Sequence, residues 1–344
     1  MTETKLETID PHEAVELYLS SRRDELADST LRTQKCRLNT FAEWCGDKGI
    51  SNLNDLSGRN LHEYKLYLRD HHRLQGDTPG VSPITLRTRL SSIRVFLRFC
   101  HSIDAVDETL PEKIVLPQVD REERYREETI DTEFAKETIK SLRETRYGLK
   151  EHIAFEFLWK TGCRLGALYA LDVDDIDFEE MRVHIEHRPE QGTSLKNGRS
   201  GERVITLSED LLKAIETFID VNRTPTTDDY DRRPLLTTRH GRADKSTLRC
   251  WVYRAQQPCY HSNECPHDED IPTCGWARTY ERDKCPSTTM PHNIRRGAIT
   301  YFLSNDIPKR AVSDRTNVSG DVLDTHYDQR SETGKAEQRR KFFE

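Results

Sequence analysis

The residues best equipped for chemistry lie near the carboxyl end, in residues 291–328, which read PHNIRRGAITYFLSNDIPKRAVSDRTNVSGDVLDTHYD. His292 and Arg295 are three apart, so a helix places both on one face. Ile294, Ala298, Ile299 and Phe302 form the apolar ridge that would bury its back. Tyr327 follows a polar loop and the apolar pair Val322 and Leu323. A phenol titrates near pH ~10 and is a weak nucleophile at neutral pH, so it needs a proton acceptor and an electrophile whose charge is neutralised. A phosphodiester is such an electrophile, and guanidinium forks neutralise its non-bridging oxygens while staying charged at any working pH. One arginine seldom suffices for a transition state carrying extra phosphoryl charge. Arg164 is the second, in FEFLWKTGCRLGALYALDVDDIDFEEMRVHIEH. There an apolar helix with Ile153, Phe157 and Leu158 turns at Thr161 and Gly162 and enters a short segment ending in Leu171.

Taken alone, Tyr327 fits ordinary amphipathic packing. Lys196 sits in TSLKNGRSGERVITL, where strand-like residues 182–186 and 203–207 flank a Gly/Asn/Ser turn. It is the only lysine between Lys160 and Lys213, and as a bare turn residue it would simply be solvated. In combination, Thr-Gly-x-Arg164, Leu-x-x-Leu-x-x-x-Asp-Ile, His292-x-x-Arg295 and a downstream Tyr327 resemble the tyrosine recombinase (phage integrase) family, and the acidic composition is similar to that of haloarchaeal-type site-specific integrases. Order and spacing match over nearly the whole chain.

The resemblance implies a mainly α fold with a small β-sheet: an N-terminal helical core-binding (SAM-like) domain and a C-terminal α+β catalytic domain. It implies that Arg164 and Arg295 clamp a DNA phosphate and that His292 hydrogen-bonds it and assists proton transfer. Lys196 would protonate the departing 5′ oxygen, and Tyr327 would form a 3′-phosphotyrosyl intermediate. It further implies double-stranded DNA as partner, a homotetramer on DNA during synapsis, and chemistry needing neither nucleotide nor metal. Two positions depart from the family pattern. Ala167 stands where an acidic residue is usual, and Val318 stands where His or Trp precedes the tyrosine by nine. A lost transition-state donor costs about 10²- to 10³-fold in rate, and His326 is a candidate substitute. Two other readings stay open: a non-catalytic DNA-binding protein of the same fold, favoured by Val318 and Ala167, and a type IB topoisomerase-like enzyme.

At 344 residues the chain is long enough for two domains with ordinary cores. No apolar run approaches the ~18 residues of a membrane span, and the acidic start lacks a signal-peptide core. Nine scattered cysteines, an odd number, argue against a disulfide framework and for the cytoplasm. The net charge of −7 is unusual for a partner of nucleic acid. A local groove can nevertheless be positive in an acidic protein. The runs at 172–175, 228–229 and 268–270 read as a solvated acidic surface of the salt-adapted kind.

Periodicity predicts helices over residues 11–20, from Ser29 to Gly46, over 60–70 and from Pro83 onward, giving a domain over 1–110. On the fourth helix Arg87, Arg94 and Arg98 share a face away from the apolar stripe and are the candidate DNA-binding residues, with Arg32, Lys35 and Arg89 adding to the balance. Residues 111–125, with Pro111 and Pro117, read as a linker, and 126–344 as the catalytic region. Helices are predicted over 132–143, after an N-cap at Ser208, and over 245–257. An insertion at 259–285 carries Cys259, Cys265, Cys274 and Cys285, whose thiolates could hold a tetrahedral structural zinc, with His267 able to replace one. Free buried cysteines or a labile disulfide are the alternatives. The tail ends in Phe342 and Phe343, which would dock on this chain or a neighbour.

Overall fold

Asp10 starts the first helix by accepting hydrogen bonds from the backbone N–H of His12 at 2.8 Å and Glu13 at 3.3 Å, with Pro11 at the position where a missing N–H costs nothing. In this computed structural model, which describes residues 6–70, 80–119, 129–278, 281–327 and 340, the chain divides into two units, Met1–Arg126 and Glu127–Glu344. The first holds helices α1 (Pro11–Ser21), α2 (Asp28–Asp47), α3 (Gly58–Asp70) and α4 (Pro83–Ser102), as the apolar periodicity predicts. Their stripes meet in an aromatic-rich core in which Tyr18 meets Phe96 edge-on at 5.6 Å and Phe41 meets Tyr64 at 4.9 Å.

The segment expected to be a linker behaves differently over its described part. Leu110 and Ile114 are buried in the first unit's core, and Pro111 is buried as well. The α4 arginines hold the strap down: Arg87 donates to the Pro117 carbonyl at 2.7 Å, Arg94 to the Ile114 carbonyl, and Arg98 pairs with Glu112 at 2.6 Å. A proline-bearing strap offers carbonyls that no regular structure satisfies, and guanidinium groups meet that need. Arg87, Arg94 and Arg98 are therefore not the free basic face expected of them. Arg89 is buried outright, beside the Tyr64 hydroxyl. The remaining linker positions from 120 on lie outside the described residues.

The second unit is built round α6 (Lys150–Thr161), in which every residue from Glu151 to Trp159 is buried. It packs against α5 (Thr132–Thr145), α9 (Lys245–Gln256) and α12 (Pro291–Ser304). Its buried polar groups are partnered: His152 Nε2 bonds Glu156 at 2.8 Å, and Arg143 Nε donates to the same carboxylate at 3.0 Å. After α7 (Leu165–Ala170) comes an antiparallel sheet of β1 (Ile176–Asp177), β2 (Arg182–Ile185) and β3 (Arg203–Thr206). Val183 faces Ile205 across it, both pointing inward, while Val204 points out. The hairpin expected around Lys196 is therefore present. Ser208 precedes α8 (Glu209–Thr217) without making a side-chain cap bond, and a short hairpin of β4 (Thr237–Thr238) and β5 (Gly241–Arg242) leads into α9.

The acidic run at 172–175 is not a solvated face. Asp172 and Asp175 are buried. Asp172 is engaged by Arg188 at 3.3 Å, Arg232 at 3.4 Å and Arg242, while Asp228 pairs with Arg232 at 2.9 Å and Arg242 at 2.7 Å. Alternating signs close this network, which pins the sheet to the β4–β5 hairpin. The short helices α10 (Pro258–His261) and α11 (Gly275–Arg278) precede α12, and α13 (Lys309–Thr316) and α14 (Gly320–His326) follow it. Among the described residues no helix is long and apolar enough to cross a membrane.

Candidate active site

α6 ends at Gly162, whose φ of +64° turns the chain through the left-handed region. A Cβ there would meet Thr316 Cγ2 at 2.9 Å. The absence of a side chain lets two backbone carbonyls crowd one guanidinium. Arg295 Nη1 donates to Gly162 O at 2.7 Å and to Thr316 O at 2.8 Å. Arg295 projects from α12 and is 1% exposed, yet among the described residues its buried Nε and Nη2 have no hydrogen-bond partner. Each unsatisfied buried donor costs about 1–3 kcal/mol, so the arrangement suits an anion that is not part of the protein.

Arg164 caps the start of α7 and donates from Nη1 to the Asn317 carbonyl at 3.2 Å. Among the described residues no carboxylate pairs with Arg164 or Arg295, although ion pairs are plentiful elsewhere. Burial, followed by the charge of Arg164, pushes Arg295 down to about 10, so it stays protonated at neutral pH. Burial likewise lowers Arg164. The Tyr327 phenol opposes both shifts, because it lies close enough to each guanidinium to favour the charged form. Tyr327 is buried at the end of α14, its N–H bonded to Leu323 O at 3.0 Å.

His292 stands exposed on the first turn of α12. Desolvation, then the charges of Arg295, Arg296 and Arg164, hold its pKa below the ordinary value, so the neutral imidazole prevails at neutral pH. The structure thus brings Arg164, His292, Arg295 and Tyr327 close together. Lys196 lies exposed in the turn between β2 and β3, and that turn touches the same region through its neighbours: Asn197 Nδ2 donates to Asn317 Oδ1, and Asn317 Nδ2 donates to Ser200 O at 2.6 Å.

Asn317 is the residue that sequence reasoning overlooked. Its one signal was a residue type that tolerates the left-handed region just past a helix end, where its φ is +53°. Arg203 was also missed, and it ties β3 to α13 through the Arg315 carbonyl at 2.8 Å. Val318 is buried, offers the site no side-chain donor, and uses its carbonyl to accept from Ser313 Oγ at 2.6 Å. Ala167 is buried in α7. The His326 side chain and the tail with Phe342 and Phe343 lie outside the described residues.

The four cysteines of the insertion do approach one another: burial, then the charges of Cys265, Cys285 and Cys274, push the Cys259 thiol up. All are free thiols. Among the described residues, however, no group of three or more His, Cys, Asp or Glu is arranged so that it could hold a metal ion. Hydrogen bonds tie the segment together. His267 Nε2 bonds Ser287 Oγ at 2.7 Å, Gln257 donates to Trp276 O at 3.0 Å, and Thr288 Oγ1 donates to Cys285 O at 2.8 Å.

Residues 128–319, more than half of the chain, match the phage integrase family, and the chain belongs to that family. The matched span contains Arg164, Lys196, His292 and Arg295 and stops short of Tyr327. The chain is 22% identical over 238 residues to the Probable integrase/recombinase protein of Methanocaldococcus jannaschii, covering 67% of each. It is 25% identical over 216 residues to the Tyrosine recombinase XerC of a Roseiflexus species, where the match spans 62% of each chain. Among solved structures, the Tn1549 transposon integrase in complex with a circular intermediate DNA aligns with a TM-score of 0.65 at 16% identity, over 95% of this chain and 99% of that one. A lambda integrase dimer bound to a COC′ core site aligns with a TM-score of 0.61 at 11% identity, over 93% and 77%. These likenesses establish the fold, mainly α with small sheets, with an N-terminal and a C-terminal domain.

Proposed function

We propose that this protein is a site-specific DNA strand transferase that cleaves and rejoins double-stranded DNA through Tyr327. The observation that carries the reading is the pair of guanidinium groups, Arg164 and Arg295, that converge beside a buried phenol with no carboxylate partner among the described residues, two of Arg295's donors being unspent there. A phosphodiester supplies the missing acceptors, and each charge-assisted bond is stronger than a neutral one.

In the forward step Tyr327 Oη attacks the phosphorus, the bond from phosphorus to the bridging 5′ oxygen breaks, and a 3′-phosphotyrosyl ester forms. The phenolic proton passes to the neutral His292, and Lys196 gives a proton to the departing oxygen, which leaves as a hydroxyl. Arg164 and Arg295 meet the charge on the non-bridging oxygens. Attack of a 5′ hydroxyl on the ester reverses every transfer, so one ester bond replaces another and no nucleotide or metal is consumed. The Tn1549 and lambda integrases, whose structures contain DNA sites, support DNA as the partner here. Synapsis of two sites would assemble four copies.

The test uses nicked duplexes of randomised sequence, on which the freed strand diffuses away and traps the ester, incubated at high and at ordinary salt. A denaturant-resistant adduct, and recombination between two plasmid copies of the sequence recovered from it, are expected. Binding without any adduct would show the non-catalytic protein that Val318 and Ala167 favour. Relaxation of supercoiled plasmid without strand exchange would show a topoisomerase.

A further inference from the structure

Lys196 has no hydrogen-bond or ion-pair partner among the described residues and stands exposed at the hairpin turn. A side chain with four rotatable bonds reaches a fixed atom only as reliably as its backbone is placed. The base of the hairpin is held by Arg203 on the Arg315 carbonyl at 2.8 Å and by Arg315 on the Thr206 carbonyl at 3.1 Å. Neither contact reaches the turn itself.

One carboxamide does. Asn317 Oδ1 accepts from Asn197, the residue after Lys196, and faces Arg164 Nη1 at 3.5 Å; Asn317 Nδ2 donates to Ser200 O at 2.6 Å, in the same turn. The backbone carbonyl of Asn317 accepts from Arg164 Nη1 at 3.2 Å. Glycine adopts the left-handed conformation of this position at least as readily, so the backbone alone does not call for asparagine. The carboxamide has a separate task.

We propose that Asn317 is a positioning residue that fastens the Lys196 turn to Arg164, so that the ammonium and the phosphate clamp arrive at the scissile phosphate as one unit. The inference rests on the strand-transfer reading above and adds to it a dependence of leaving-group protonation on a residue that touches neither DNA nor the reacting atoms. It also gives a use to the position beside Val318, where the side chain itself offers no donor.

The test compares two versions of a nicked duplex bearing the cleavage sequence recovered from trapped adducts, one with the natural bridging 5′ oxygen and one with sulfur in its place. A thiolate leaves without first taking a proton, so an enzyme whose only fault is delivery of the acid recovers on sulfur. Asn317→Gly preserves the backbone and the Arg164 contact with the carbonyl. It should slow adduct formation on the oxygen substrate by about 10- to 100-fold, the scale of a small misplacement, and return close to the unmodified rate on sulfur. Asn197→Ala, an exposed change that breaks the same contact from the other side, should behave alike, as should Lys196→Ala with a deeper loss. Arg164→Ala should stay slow on both. DNA affinity and the thermal midpoint of Asn317→Gly should match the unmodified protein. Equal slowing of Asn317→Gly on both substrates, or no slowing on oxygen, overturns the proposal while leaving the strand-transfer reading intact. No adduct from the unmodified protein on either substrate overturns that reading and this one with it.

Discussion

Arg295 holds its proton against burial and against the charge of Arg164, with the phenol of Tyr327 among the groups that favour the charged form. The proposed nucleophile and clamp thus belong to one electrostatic unit, although they reach it from different helices. The first prediction tests the fork. Arg295→Lys keeps a charge but cannot both satisfy the Gly162 and Thr316 carbonyls and present two further donors. Adduct formation should fall by about 10²- to 10³-fold, while DNA affinity in a gel-shift titration changes far less.

On the proposed mechanism His292 sets the acid limb of the reaction. Its pKa lies below the ordinary 6.5 because desolvation and three neighbouring arginines disfavour the imidazolium. The neutral, proton-accepting form therefore persists below pH 6.5, and single-turnover cleavage should decline only as pH falls through the lowered value. Removing a like charge eases protonation, so Arg296→Ala should move that limb to higher pH. A limb that moves to lower pH, or does not move, would contradict this assignment.

Gly297 lies inside α12, where alanine normally stabilises by about 1 kcal/mol. Here a Cβ would stand 2.6 Å from Ile130 Cγ2 and 2.9 Å from the Ile130 carbonyl oxygen. Gly297→Ala should instead destabilise the protein by about 1–3 kcal/mol in urea unfolding. It should also depress cleavage, since the same helix carries His292 and Arg295.

The Asp172 network gives the largest stability effect. Asp172→Ala leaves Arg188, Arg232 and Arg242 around one remaining set of carboxylates. Breaking a buried pair from one side costs about 3–5 kcal/mol, readable as a lowered urea midpoint. A change of Asp174, exposed and paired with exposed Arg233, should be near neutral.

Helix positions and the hairpin were legible because apolar spacing and turn chemistry are local: Leu86, Leu90, Ile93 and Leu97 line one face of α4, and the Gly/Asn/Ser turn separates β2 from β3. The proximity of Arg164, His292, Arg295 and Tyr327 was legible through order and spacing along the chain. Partner choice was not. Arg87, Arg94 and Arg98 read as free for DNA, because sequence cannot show that a proline-bearing strap folds back to offer carbonyls at their own height. Asp172 and Asp175 read as solvated for the same reason, since their arginine partners lie 13 to 70 residues further along the chain. The spacing of Cys259, Cys265, Cys274 and Cys285 foretold their proximity, but a coordination geometry depends on side-chain directions that spacing does not fix.

The most direct measurement is peptide mapping of the covalent adduct formed on a nicked duplex, run in parallel with Tyr327→Phe. A phosphotyrosyl peptide containing Tyr327 is expected, lost entirely in the phenylalanine variant while DNA binding is retained. An adduct that maps to another residue, or that survives in Tyr327→Phe, would contradict the proposed role of Tyr327.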